Sequence, residues 1–99
     1  MFSKLKQFKD LRDKAKTLQT ALAAEKVEGS AAWGKVKVEV DGNQSVVGVN
    51  IAEDLLAPSE KEKVQNAVKD AVNDAIKKAQ QKMVAKMKEM GGLDLPGMK

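Results

Sequence analysis

The sequence predicts an α+β fold: an N-terminal helix, a three-stranded antiparallel β-meander and a long C-terminal helix, assembled as a dimer with protruding helical arms. Three observations carry this reading. Apolar residues recur every three or four positions in the first quarter of the chain, every second position in the middle, and every three or four again from Val64 onward. The 99 residues fit one domain, divided into a helix over 1–26, a meander over 27–52, a long helix over 59–90 and a flexible tail over 91–99.

Leu5, Phe8, Leu11, Ala15, Leu18 and Leu22 set the first helix, about Ser3 to Glu25, with a narrow apolar stripe. At about 100° per residue, Lys9, Arg12 and Lys16 fall along one flank of that stripe, with Asp10 and Asp13 further round. The two acidic residues interrupt the basic face and the stripe lacks Trp, which argues against a helix lying on a membrane.

From Val27 the period changes. In the run from Trp33 to Val40 valines alternate with charged residues, and Val47, Val49 and Ile51 alternate with Gly48 and Asn50. Between these two half-buried strands, Asp41-Gly42-Asn43-Gln44 makes a tight turn, with Gly42 free to take positive φ and Asp41 able to bond the local backbone. A shorter strand around Val27 to Ser30 completes a meander whose apolar face only the helices can cover. Trp33 reads as a packing residue at a strand start or sheet edge, with base stacking or a partner contact as the alternative.

Ser59 and Glu62 have the spacing of a capping box and open the last helix. Its apolar positions run from Val64 to Met90, where Gly91-Gly92 supplies a stop. Roughly 32 residues at 1.5 Å each give about 48 Å, longer than three short strands cover. The first helix and the distal half of the last are therefore expected to pack on each other, and on a second copy, beyond the sheet edge. The Met83, Met87 and Met90 row fills that seam, or alternatively offers an adaptable partner groove.

Composition narrows the function. His, Cys and Tyr are absent, which removes the usual acid-base and nucleophilic groups along with thiolate and imidazole metal sites. No enzyme activity, cofactor, metal or small-molecule substrate is expected. No apolar run approaches the 18 residues of a spanning helix, so a soluble cytoplasmic protein without a membrane partner is expected. Charge is instead the prominent property: residues 1–26 carry a net +4, 27–58 a net −3, and 59–99 a net +3. Lys77, Lys78, Lys82, Lys86 and Lys88 follow one another without an acidic residue until Glu89. Duplicated in a dimer and joined by Lys9, Arg12 and Lys16, they form paired cationic arms able to face the phosphates of duplex DNA. A single Arg among 18 basic residues leaves little for bidentate guanine recognition, so phosphate contact with weak sequence selectivity is expected.

Taken together, Val27-Glu28-Gly29, the run Gly34-Lys35-Val36-Lys37-Val38 leading to Gly42, Ile51 with Leu55-Leu56, Ala71-Val72-Asn73-Asp74-Ala75 and Leu93-Asp94-Leu95-Pro96-Gly97 resemble the YbaB/EbfC family of bacterial nucleoid-associated proteins. The order of these features and the N-terminal helix extend the resemblance over nearly the whole chain. It implies a tweezers-like dimer with protruding arms that binds DNA in the nucleoid and influences nucleoid organisation and gene expression. Two departures stand out: Ala31-Ala32 where the family is often glycine-rich, and Ala52-Glu53 in place of a frequent Asp-Pro. The alternative function is a non-enzymatic interaction adaptor using the Met-rich arm.

Overall fold

The computed structural model describes residues 2–90, with side chains from Leu5 onward. Helix α1 spans Phe2–Ala23, strands β1, β2 and β3 span Lys26–Ala31, Val36–Asp41 and Val46–Ile51, and helix α2 spans Lys61–Glu89. The sheet is antiparallel in the order β1-β2-β3, the expected meander. The tail expected over 91–99 and the Gly91-Gly92 stop lie outside the described residues.

Alternation in β2 builds the core. Val36, Val38 and Val40 are wholly buried while Lys37 and Glu39 face out. Against these valines α2 lays Ala67, Ala71, Ala75 and Ala79, spaced by four and therefore on one narrow helix face. The small side chains let the helix lie close to β1 and β2, and Gly29 makes that approach possible. A Cβ at Gly29 would overlap the Ala71 carbonyl oxygen and the Ala75 nitrogen and stand 2.8 Å from the Ala75 Cα.

Because α2 lies over β1 and β2, the inner face of β3 is left open. Val46, Val47 and Val49 are all exposed, so β3 is not the half-buried strand its alternation predicts. Its register also differs. Val38 faces Val49 and Glu39 faces Gly48, but Val40 faces Val46, so a bulge leaves Val47 without a partner and removes it from the expected Val47, Val49, Ile51 face.

Three local expectations are corrected. Gly42 does not take positive φ; Gln44 does, at 67°. Gly42 is instead needed for closeness: its N–H donates to the Leu22 carbonyl at 2.9 Å, and a Cβ there would sit 2.8 Å from Leu22 Cδ2. Asp41 plays its expected part, accepting from the Asn43 and Ser45 N–H groups at 2.9 and 3.0 Å. The Ser59 capping box does not form. Pro58–Glu60 is a 3₁₀ turn, Glu60 is the N-cap of α2 and no side chain caps that end. Trp33 is fully exposed at the tip of the β1–β2 turn rather than packed, in the left-handed region at φ 60° beside Ala32 at 54°.

The protomer is elongated. Its extents are 64 × 21 × 20 Å and its radius of gyration is 18.3 Å, against about 13 Å for a compact chain of 100 residues. The expected pairing of α1 with distal α2 is confined to the C-terminal end of α1, where Leu22 is buried and Leu18 half-buried. Leu5 and Phe8 are 70% and 69% exposed, so the N-terminal turns of α1 stand clear of α2 in the protomer.

Candidate nucleic-acid interface

Four residues clasp α2 to the edge of the sheet. Where the buried alanine line approaches its end, Asp74 Oδ2 accepts the backbone N–H of Ser30 in β1 at 3.1 Å. The Lys78 Nζ stands 3.3 Å from the same carboxylate oxygen and donates to the Glu28 carbonyl at 2.9 Å. The Ser30 N–H, and after it the Lys78 ammonium, hold the Asp74 carboxyl below its usual range. One turn of α2 is thereby stitched to the edge strand of the sheet.

A second tie lies further out. Lys86 Nζ is 3.2 Å from Glu25 Oε1, just beyond the end of α1, and 3.6 Å from Glu89 Oε2. Bonding to Glu25, reinforced by the charges of Glu89 and Glu25, pushes the Lys86 ammonium above its usual pKa. Lys86 and Lys88 also occupy the last turn of α2, where positive charge opposes the helix dipole favourably.

Helix phase sorts the five distal lysines. At about 100° per residue, Lys78, Lys82 and Lys86 continue within about 60° of the direction of Ala75, on the side that faces the sheet further back. Lys77 and Lys88 point roughly the opposite way. Lys82 lines a hollow with Val27, Glu28 and Ala85. No carboxylate among the described residues lies within ion-pair distance of Lys77, Lys82 or Lys88.

On α1, Lys9, Arg12 and Lys16 are exposed, and none forms an ion pair among the described residues. Arg12 and Lys16 border a hollow that also takes in Leu22, Asn43 and Met83, at the junction of the two helices. Asn43 closes this junction by donating from its side-chain nitrogen to the Gln19 carbonyl at 2.9 Å. The basic residues that line this hollow come from α1, and distal α2 contributes Met83 to it.

Sequence reasoning did not find the partners that engage these lysines. Lys78 and the Glu28 carbonyl are 50 residues apart, and a backbone carbonyl leaves no residue-type signal. Glu25 and Lys86 are likewise joined only by the fold. The Lys35–Asp54 ion pair, which lowers the Asp54 carboxyl and raises the Lys35 ammonium, was equally hidden; it secures the β1–β2 turn to the segment after β3. Among the described residues, no helix is long and apolar enough to cross a membrane.

Comparison with known proteins supplies the family. A nucleoid-associated protein of Gloeobacter violaceus is 43% identical over 93 residues, covering 93% of this chain and 83% of its own length. Another, from Syntrophobacter fumaroxidans, is 38% identical over 99 residues, covering 99% and 90%. The crystal structure of an uncharacterized Helicobacter pylori protein superposes with a TM-score of 0.74 over 93% of this chain and 98% of that one, at 24% identity, and so shares the fold. The model of the YbaB/EbfC DNA-binding family matches residues 1–93. With that match spanning the helix, the meander and the long basic helix alike, the chain belongs to the YbaB/EbfC family of nucleoid-associated proteins, which bind DNA and are not enzymes.

Proposed function

We propose that this protein binds duplex DNA as a homodimer, mainly through phosphate contacts with weak sequence selectivity, in the cytoplasmic nucleoid of a bacterium, where it influences nucleoid organisation and gene expression. The observation that carries the reading is the set of exposed basic side chains without an ion pair among the described residues, Lys9, Arg12 and Lys16 on α1 and Lys77, Lys82 and Lys88 on distal α2, on a chain whose family binds DNA. Lysine dominates that surface. A lysine ammonium meets phosphate as a point charge and reads no base pattern.

A second copy is supported by apolar surface that the protomer leaves open. Val46 and Val49 lie on the uncovered inner face of β3, itself an edge strand, and Leu5 and Phe8 line the free turns of α1. Small domains bury a limited share of their surface alone, and unpaired edges invite pairing. The test is a mobility shift on random and A·T-rich duplexes across a salt series, run beside a sizing measurement. If a dimer neutralises about six phosphates, log K falls with log salt at a slope near −5. A slope near zero, or a monomer at micromolar concentration, contradicts the reading.

A further inference from the structure

We infer that the basic stretch of α2 is divided in function: Lys78 and Lys86 are positioning residues that set the arm against the body, while Lys77, Lys82 and Lys88 meet the phosphates. This division deepens the DNA-binding reading and rests on it.

Each of the two ammonium groups is already engaged within the fold. Lys78 donates to the Glu28 carbonyl at 2.9 Å and faces Asp74 at 3.3 Å. For a phosphate to take Lys78, the carbonyl bond must break, and the incoming anion would then confront the Asp74 carboxylate. Asp74 cannot easily turn away, because its Oδ2 also holds the Ser30 N–H at 3.1 Å. Lys86 sits between Glu25 at 3.2 Å and Glu89 at 3.6 Å, one positive charge facing two negative ones. A phosphate approaching it meets a local excess of negative charge.

Surface ion pairs are individually weak, so the pairs alone would not deny these lysines to DNA. What separates them from their neighbours is the combination of a backbone bond or second carboxylate with their location between elements. Lys78 links α2 to β1, and Lys86 links α2 to the segment after α1. Lys77, Lys82 and Lys88 have no such bond among the described residues and are exposed. Binding DNA through them sacrifices no contact within the fold.

Salt dependence separates the two classes, because each phosphate contact releases condensed counterions and adds about 0.9 to the slope of log K against log salt. The full chain is used, with Lys77→Gln, Lys78→Gln, Lys82→Gln, Lys86→Gln and Lys88→Gln made singly. Binding to a fluorescent random-sequence duplex is followed by anisotropy from low to moderate salt, and each variant is also melted thermally. Lys77→Gln, Lys82→Gln and Lys88→Gln are expected to flatten the slope by about 1.8 in a dimer and to keep the wild-type melting temperature. Lys78→Gln and Lys86→Gln are expected to lower the melting temperature and keep the wild-type slope. Glu25→Gln supplies a readout that simple destabilisation does not move: with one carboxylate gone, Lys86 is released toward phosphate and the slope steepens.

The division is overturned if Lys78→Gln or Lys86→Gln flattens the slope as much as Lys82→Gln does, or if Glu25→Gln leaves it unchanged. Wild-type protein that ignores the duplex even in dilute buffer overturns the DNA-binding reading itself, a result distinct from any redistribution among variants.

Discussion

Two residues near the start of the sheet show how differently a methyl group acts at neighbouring positions. Gly29 faces the backbone of α2, where an added Cβ would overlap Ala71 and Ala75. Gly29→Ala is therefore expected to destabilise the fold by about 3 kcal/mol, the upper end for overpacking, with a matching fall in the denaturant midpoint. Ala32 is the reverse case. It already holds a Cβ in the left-handed region, at φ 54°, where an L-residue is strained by about 1–2 kcal/mol. Ala32→Gly relieves that strain but loosens the unfolded chain by about 0.4–1 kcal/mol, leaving a net gain of about 0.5–1 kcal/mol. Equilibrium unfolding in urea measures both, and the two substitutions should move the midpoint in opposite directions. Asp74 adds a pH signature. Its folded carboxyl is held below its ordinary value by the Ser30 N–H and Lys78, so its charge stabilises the fold above the ordinary carboxylate range. The stabilisation disappears as pH falls below the ordinary carboxylate range and through the depressed value. Asp74→Asn should thus melt below wild type at pH 7, and the two melting curves should converge in acid. Lys86 runs the opposite way: its raised pKa gives a contribution present at neutral pH and lost only as alkali takes the pH past that raised value.

At the scale of elements, the amphipathic patterns were legible where a single period ran unbroken. Val36, Val38 and Val40 alternate cleanly and are buried; the alanines spaced by four in α2 face them. The pattern failed where backbone geometry, not side-chain type, decides the outcome. Nothing in a valine pair announces the bulge that leaves Val47 unpaired, and Ser59 has the right spacing for a cap but is held in a 3₁₀ turn that begins at Pro58. Trp33 departs from the packing expected of it because a large aromatic favours burial in general, while a turn tip places it in solvent. The candidate interface was legible as a basic stretch, since lysines can be counted, but its division was not. The groups that hold Lys78 and Lys86 come from Glu28 and Glu25, brought near only by the folded chain. Helix α1 makes a further demand at this scale, because its Leu5 and Phe8 stripe has no cover from α2. If a second copy covers it, each Phe8 buried contributes about 2 kcal/mol and the pair about 4 kcal/mol. Phe8→Ser should then weaken dimerisation by roughly a thousandfold while leaving the sheet and α2 intact. Sedimentation alongside circular dichroism checks this, and unchanged dimerisation would assign the stripe to another role.

The whole molecule joins two kinds of surface whose responses to salt are opposed. Each chain carries a formal net charge of +4, so bringing two copies together costs Coulomb repulsion that added salt screens. The surfaces proposed to meet, Val46 and Val49 on β3 and the Leu5, Phe8 stripe, are apolar, and burying them does not depend on charge. Dimerisation should hold or tighten as salt rises. DNA release should follow the steep opposite trend, because lost counterion release is what weakens it. Sedimentation equilibrium and duplex anisotropy across the same salt series, from about 50 to 500 mM, are therefore expected to show a persistent dimer at concentrations of salt that have already freed the DNA. Were the dimer to dissociate in step with DNA release, the contacts between copies would have to be ionic, and the open valines of β3 would not be what joins them.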